Sequence, residues 1–287
     1  MAERGNVTDP AGPSVRLLLE RGMALLATRS TSARLDAELL LACALGRSRS
    51  YLSAHDDKAV DASSRGHYQT LLARRAQGEP LAYLTGEREF WSLSLAVNAD
   101  VLIPRPETEL AVERCLALRD AAPALVADLG TGSGAIALAL ARERPRWRII
   151  ATDRSASALA IARLNAARCG IDNVEFRLGH WFEPLANLRF DLIVSNPPYI
   201  ATHDPALPQL RYEPAAALVA GATGMEALRD IVGQASGHLQ PGAWLVLEHG
   251  AEQAGELSVA LVNAGFTRVR CHADLAGRDR ATEAQQP

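Results

Sequence analysis

Hydrophobic and polar positions change their period twice along this chain of 287 residues. From Ser14 onward Val15, Leu18, Leu19, Met23 and Leu26 fall at helical spacing, and Leu35, Leu39, Ala42, Cys43 and Leu45 repeat the pattern before Gly46. Such spacing gives each segment one apolar stripe, and a glycine, free to turn left-handed, ends the second helix. Asp61 can cap a third helix running to about Gln77, with Gly78 as its stop. Residues 1–78 are therefore expected to form a small helical bundle behind a loose start over residues 1–13, which hold Gly, Pro and Asp. Between residues 79 and 100 the pattern shortens to β-like pieces, Leu81–Leu84 and Phe90–Val97, broken at Thr85-Gly86 and Asn98. This predicts a β-hairpin linker.

From residue 101 to 287 short apolar runs alternate with helical patterns. Leu125–Leu129, Arg148–Thr152, Val174–Leu178, Phe190–Val194, Ala243–Glu248 and Thr267–His272 read as strands. Ile136–Ala141, Ser157–Cys169, Met225–His238 and Gln253–Ala264 read as helices. Alternation of this kind predicts an α/β fold with right-handed crossovers and a mainly parallel, Rossmann-like sheet. Gln240-Pro241-Gly242 is expected to be a turn, Asp274–Arg280 a charged turn, and residues 281–287 an edge strand or a frayed end.

Composition narrows the classes further. Hydrophobic content of 48% and charged content of 22% are values of a globular protein able to bury a core. No apolar run approaches the roughly 18 to 20 residues of a membrane span, and Met-Ala-Glu-Arg-Gly opens no signal peptide, so a cytoplasmic protein is expected. Cys43, Cys115, Cys169 and Cys271 are widely separated, which argues against a disulfide or zinc framework. Residues 1–78 carry 11 basic and 8 acidic side chains, and residues 79–287 carry 19 and 25. With Lys58 the sole lysine and no basic stripe interleaved with aromatics, a duplex-binding groove is not expected. The basic bundle ahead of an α/β domain suits recognition of a macromolecule.

Candidate chemistry lies at the carboxyl ends of the predicted strands, where open α/β sheets bind ligands. Leu125–Leu129 runs into Gly130-Thr131-Gly132-Ser133-Gly134, glycines that tighten a turn and let a ligand approach the backbone. Gly130, Gly132 and Ala135 match a dinucleotide pattern, and the absence of Gly-Lys-Ser/Thr excludes a nucleoside-triphosphate P-loop. Asp153 ends the second strand, 23 residues after Gly130, where an acid can take both hydroxyls of a ribose. Trp181, past a third strand, can stack on an adenine or join the core. Phe190–Val194 launches Ser195-Asn196-Pro197-Pro198-Tyr199-Ile200, a rigid corner because each proline has fixed φ and no N–H. Its carbonyls and the Asn196 oxygen suit an –NH2 group that needs two acceptors.

Ile103-Pro104-Arg105-Pro106-Glu107-Thr108-Glu109 opens a predicted helix whose macrodipole favours the glutamates, while Arg105 faces the glycine turn. A nicotinamide dehydrogenase would need only the glycine turn and Asp153, leaving Asp128 and the double proline without a role. A methyl donor accounts for all of them. Asp128 would orient the loop or the methionyl amine, Gly130 to Gly134 would hug the methionine part, and Asp153 would hold the ribose. Trp181 would then cover the base, with the sulfonium methyl directed at Asn196.

The sequence resembles S-adenosylmethionine-dependent methyltransferases with an Asn-Pro-Pro-Tyr motif, and among them the release-factor glutamine methyltransferases, the HemK/PrmC family. The broad motif is shared with adenine-modifying enzymes of DNA, which would need a basic target-recognition domain. The narrower likeness rests on Pro80–Gly86, Ile103–Glu109, Asp128–Gly134, Tyr212-Glu213-Pro214, Leu247-Glu248-His249-Gly250 and Asp274–Arg280. His180, where many members carry Asp, and Met225, where Leu is usual, depart from it. The resemblance implies a class I methyltransferase domain over residues 101–287 and S-adenosyl-L-methionine as donor, with no metal. Its protein substrate would be a peptide chain release factor, methylated on the glutamine of a Gly-Gly-Gln loop, with the front bundle gripping that factor. Asn196, Pro197, Pro198 and Tyr199 would be catalytic; Gly130, Thr131, Gly132, Ser133, Gly134, Asp153, Trp181 and Asn196 would bind the donor. A monomer without nucleic-acid or membrane contacts is expected.

Overall fold

The computed structural model describes residues 12–287, and the chain divides into two compact units, Met1–Gly86 and Glu87–Pro287. The expected loose start lies outside the described residues as far as residue 11. Pro13 is tied in, its carbonyl accepting from the Val60 N–H at 3.1 Å.

The first unit is helical. Ser14 caps α1 (Val15–Leu26) by accepting from the Leu17 N–H, α2 (Ala33–Leu45) ends on Gly46 in the left-handed region, and Asp61 caps α4 (Ala62–Ala76) by accepting from the Ser64 N–H. The stripes meet around Leu26, Leu40, Leu41, Leu52 and Tyr68. Gly22 leaves room for the Tyr68 hydroxyl, which a Cβ there would meet at 2.1 Å. Between α2 and α4 lies a helix the pattern does not announce, α3 (Arg49–Ala54), because Leu52 is its single buried residue. A second departure is Leu81–Leu84, expected as a strand, which forms the helix α5 (Leu81–Thr85). A four-residue apolar run satisfies either period. Pro80, with φ of −58°, starts a helical turn readily, and Gly86, at φ +77°, closes it.

The second unit begins with the hairpin itself, β1 (Glu87–Phe90) and β2 (Leu93–Ala96), turned through Trp91 and Ser92, both at positive φ. A short 3-10 turn, Pro106–Thr108, leads into α6 (Glu109–Leu118). Then follow β3 (Leu125–Leu129), α7 (Ala135–Glu143), β4 (Arg148–Asp153), α8 (Ala156–Cys169), β5 (Val174–Leu178) and β6 (Phe190–Ser195). After a long loop come α9 (Glu226–Ala235), β7 (Leu239–Glu248), α10 (Ala254–Asn263), β8 (Thr267–Ala273) and β9 (Asp279–Gln285). The seven-stranded sheet has the order β5-β4-β3-β6-β7-β9-β8, with parallel pairing from β5 through β7 and β9 antiparallel to both neighbours. Successive strand residues point to opposite faces. Val126, Leu192 and Val194 pack with α6 and α7, whereas Ala127, Leu129, Ile193 and Leu245 pack with α9 and α10.

Two expectations at the carboxyl end are corrected. Gln240-Pro241-Gly242 is not a turn, because β7 starts at Leu239 and an irregularity in its pairing with β6 absorbs the proline and glycine. The last strand is not at an edge: β9 is inserted between β7 and β8, burying Ala281 through Ala284. The polar letters conceal this, since Glu283 is buried with its carboxylate between Arg114 at 2.9 Å and His272 at 3.0 Å. Among the described residues no helix is long and apolar enough to cross a membrane.

Candidate active site

After β3 the chain fills one side of the sheet and returns at β6 to fill the other, which opens a crevice at the carboxyl ends of these two neighbouring strands. A cavity of about 190 Å³ occupies it. Gly130, Thr131, Gly132, Ser133, Asp153, Trp181, His180, Asn196 and Pro198 all line it, as do Arg105, Thr108 and Asp128. Among the residues singled out from the sequence, Gly134, Pro197 and Tyr199 do not. Gly134 starts α7 at φ +86°, and a Cβ there would press on Leu138 of α7 and Ala162 of α8, so its part is to let α8 approach the start of α7.

The glycine turn is clipped to the sheet as well as to itself, the Gly134 N–H donating to the Thr131 carbonyl at 2.9 Å. The N–H groups of Gly130 and Thr131 both donate to the Thr152 carbonyl, at 2.8 and 2.9 Å. Asp153 accepts from the Gly132 N–H at 2.9 Å through one carboxylate oxygen and from the Ser155 N–H at 2.8 Å through the other. Each oxygen keeps a free lone pair for a ligand hydroxyl. Asp128 holds the turn from below: its Oδ2 accepts from the Thr131 hydroxyl at 2.6 Å and from the Ala137 N–H at 3.2 Å. Its Oδ1 is buried with no partner within the protein. Burial is the main cause pushing the Asp128 carboxyl up to about 7. An unpaired buried carboxylate oxygen beside a cavity is a receptor for a cationic donor.

Trp181 belongs both to the core and to the cavity. It is 8% exposed, packs in the cluster around Leu129 and Ile150, and lies so close to the turn that a Cβ on Gly130 would meet its ring at 2.9 Å. Next to it, the His180 ring is tilted at a centroid separation of 4.9 Å.

At the other end of the cavity β6 stops at Ser195, whose hydroxyl donates to the Leu129 carbonyl at 2.7 Å and so locks the corner to β3. Among the described residues every peptide bond is trans, the two prolines included. Asn196 donates from Nδ2 to the Thr108 hydroxyl at 3.2 Å. Tyr199 sends its hydroxyl away from the cavity, donating to Glu248 Oε1 at 3.4 Å. Its carbonyl accepts from the Gln253 amide at 3.0 Å. The loop after the corner is tethered by Glu213, whose carboxylate takes the Arg105 guanidinium and, at 3.1 Å, the Ile103 N–H. Sequence pattern placed Arg105 correctly but missed that Glu213 is its partner, and it gave no role to Thr108 or Glu248. Their signal was their membership of short polar motifs amid apolar runs.

The order of the sheet, with one antiparallel strand inserted next to last, and a glycine turn facing an acid across β3 and β4 define a class I methyltransferase. A methyltransferase from Pyrococcus furiosus has the same fold, with a TM-score of 0.52 at 18% identity over 76% of this chain and 98% of its own. Family models described as the PrmC N-terminal domain and the methyltransferase small domain match residues 18–86 and 112–222. The release factor glutamine methyltransferase of Yersinia pestis is 52% identical over 90% of this chain and 94% of its own. Its counterpart in Xylella fastidiosa is 49% identical over 88% and 94%. The chain belongs to the release factor glutamine methyltransferase family.

Proposed function

We propose that this chain methylates the side-chain amide nitrogen of the glutamine in the Gly-Gly-Gln loop of peptide chain release factors, using S-adenosyl-L-methionine. The observation that carries the proposal is the single cavity that runs from Asp128, the glycine turn and Asp153 to Asn196. The residues present fit that donor. The orphaned Asp128 Oδ1 matches an ammonium, Asp153 retains acceptors for ribose hydroxyls, the open side of the glycine turn admits the methionine chain, and Trp181 offers a flat wall to the base. When bound, the donor supplies a sulfonium-activated methyl group.

The protein's own part is positioning. An amide nitrogen is a poor nucleophile because its lone pair is delocalised into the carbonyl. Asn196 Oδ1, on the cavity wall, and the Pro197 carbonyl beside it in the chain accept its two N–H bonds and turn the lone pair toward the methyl, while Tyr199, outside the cavity, braces the corner through Glu248 and Gln253. Holding reactants in a near-attack geometry is worth roughly 7 to 11 kcal/mol of barrier. Acceptors already aimed at the nitrogen as it becomes positive add electrostatic stabilisation. The proton then leaves to water, so no strong base is needed. In this scheme residues 1–78 recognise the release factor, residues 79–100 join them to the catalytic domain at 101–287, and the enzyme works as a cytoplasmic monomer without metal, nucleic acid or membrane. Labelled donor is incubated with a release factor and with the same factor lacking the loop glutamine. Label should enter the first and not the second; label that persists in the second rejects glutamine as the acceptor.

A further inference from the structure

Most of the cavity wall belongs to the sheet or to segments fastened to it. Gly130 and Thr131 are bonded to Thr152, Ser195 locks the Asn196 corner to β3, Trp181 is part of the core, and Val101 and Pro104 are buried. One stretch of lining differs. Pro214, Ala216 and Ala217 line the cavity as a strap in which Ala215 and Ala216 are exposed, and no side chain from 214 to 217 is long enough to reach an anchor. The strap is therefore held by its flanks.

Those flanks are fastened in different ways. At one end Leu218 is buried and the backbone is paired to the Asn-Pro-Pro-Tyr corner, the Ile200 N–H donating to the Leu218 carbonyl at 2.9 Å and the Ala220 N–H to the Ile200 carbonyl at 3.0 Å. At the other end the tie to the opposite wall is the Glu213 side chain, 3% exposed, with one oxygen on the Arg105 guanidinium and the other accepting from the Ile103 N–H at 3.1 Å. Between them, exposed Arg154 donates to the Ala216 carbonyl at 3.3 Å. Arg154 follows Asp153, so the strap crosses the end of the cavity assigned to the ribose.

The cavity, about 190 Å³, is smaller than the roughly 300 to 1,000 Å³ of pockets that enclose small molecules and cofactors. A wall has to yield when the donor enters. The strap can do so with its backbone pairing to Ile200 intact, by opening the two hydrogen bonds of Glu213. Opening also returns the Glu213 and Arg105 charges to water, which offsets much of the attraction that is lost.

We propose that residues 213–217 are a strap latched by Glu213 to Arg105 and to the Ile103 N–H, and that release of this latch admits S-adenosyl-L-methionine and lets the demethylated product out. The inference rests on the donor site proposed above. Glu213 and Arg105 act here as positioning residues, because they set the wall and not the reacting atoms.

The test measures association and dissociation of tritiated donor by rapid filtration, with excess unlabelled donor as the chase, in the wild type, Glu213→Ala, Glu213→Gln and Arg105→Met. A gate limits passage in both directions, so Glu213→Ala should raise both rates together, each about tenfold for the loss of a charge-assisted hydrogen bond, with Kd nearly unchanged. Arg105→Met should do the same, and Glu213→Gln, which keeps an acceptor for the Ile103 N–H, should fall between. Adding Arg105→Met to Glu213→Ala should raise the rates no further, because both break one latch. If Glu213→Ala does not fold, as judged by thermal unfolding, Arg105→Met decides alone, since Arg105 is a third exposed. Wild-type rates in the folded variants overturn the strap. A rise in dissociation alone also overturns it, because the pair would then be shaping the bound state and not gating entry. A wild type that binds no donor rejects the strap and the proposed function together, whereas one that shows the expected kinetics but labels no release factor rejects that function alone.

Discussion

Asn196 and Asp128 face the same cavity with opposite demands. Asn196 must offer an oxygen without charge, and its replacement by Ala should abolish methyl transfer while donor binding is kept. Single-turnover transfer at the wild-type rate in that variant would contradict its role. Asp128 is a buried acid whose carboxyl is pushed up to about 7 from 3.8, chiefly by burial. A folded-state value raised above the unfolded one means that this group's contribution to stability is fully present below about pH 4 and is lost as pH climbs through about 7. Asp128→Asn should therefore become progressively more stable relative to the donor-free wild type between about pH 4 and about pH 7, with no further change above that. Parallel melting curves across that range would refute the shift. Donor affinity of the wild type should rise with pH over the same interval, because the ammonium needs the ionised form, and the Asn variant should lack this rise.

Loops and strand ends, not whole elements, decide which side chains reach the cavity. Helix starts and stops were legible in sequence because capping is local: Ser14, Gly46 and Asp61 all behave as their residue types require. Leu81–Thr85 was misjudged because a run that short obeys two periods at once, and the proline and glycine around it chose the helix. The loop after the Asn-Pro-Pro-Tyr corner shows the complementary case. Its anchor is Glu213, buried and bound to Arg105 and to the Ile103 N–H, more than 100 residues earlier in the chain. Glu213→Ala should loosen this loop, leave the Arg105 guanidinium without its carboxylate and speed amide hydrogen exchange over residues 211–217. Breaking a buried pair by removing one partner costs about 3 to 5 kcal/mol, discounted here because Arg105 is a third exposed. Unchanged exchange in that segment would show that the tether is dispensable.

Across the whole molecule, the least expected feature is the place of the last strand. β9 lies between β7 and β8, so the sheet cannot be completed until the end of the chain has been made. Deleting residues 279–287 should remove an internal strand rather than trim an edge, leaving β8 without a partner and β7 open along one side, and abolishing cooperative unfolding of the second unit in a calorimetric scan. A truncated protein that melts as sharply as the full chain would contradict this.

The alternating β/α order, the glycine turn with its facing acid, and the Asn-Pro-Pro-Tyr corner were all determined by the amino-acid sequence alone. Each rests on interactions within a few residues: periodicity, caps, fixed proline φ and the freedom of glycine. Tertiary structure alone decided that β9 is internal, that Glu283 is buried between Arg114 and His272, and that Thr108 meets the Asn196 amide 88 residues further along the chain. Those facts depend on partners brought together from distant parts of the chain. A polar letter reads as exposed until the fold supplies the groups that satisfy it in the interior.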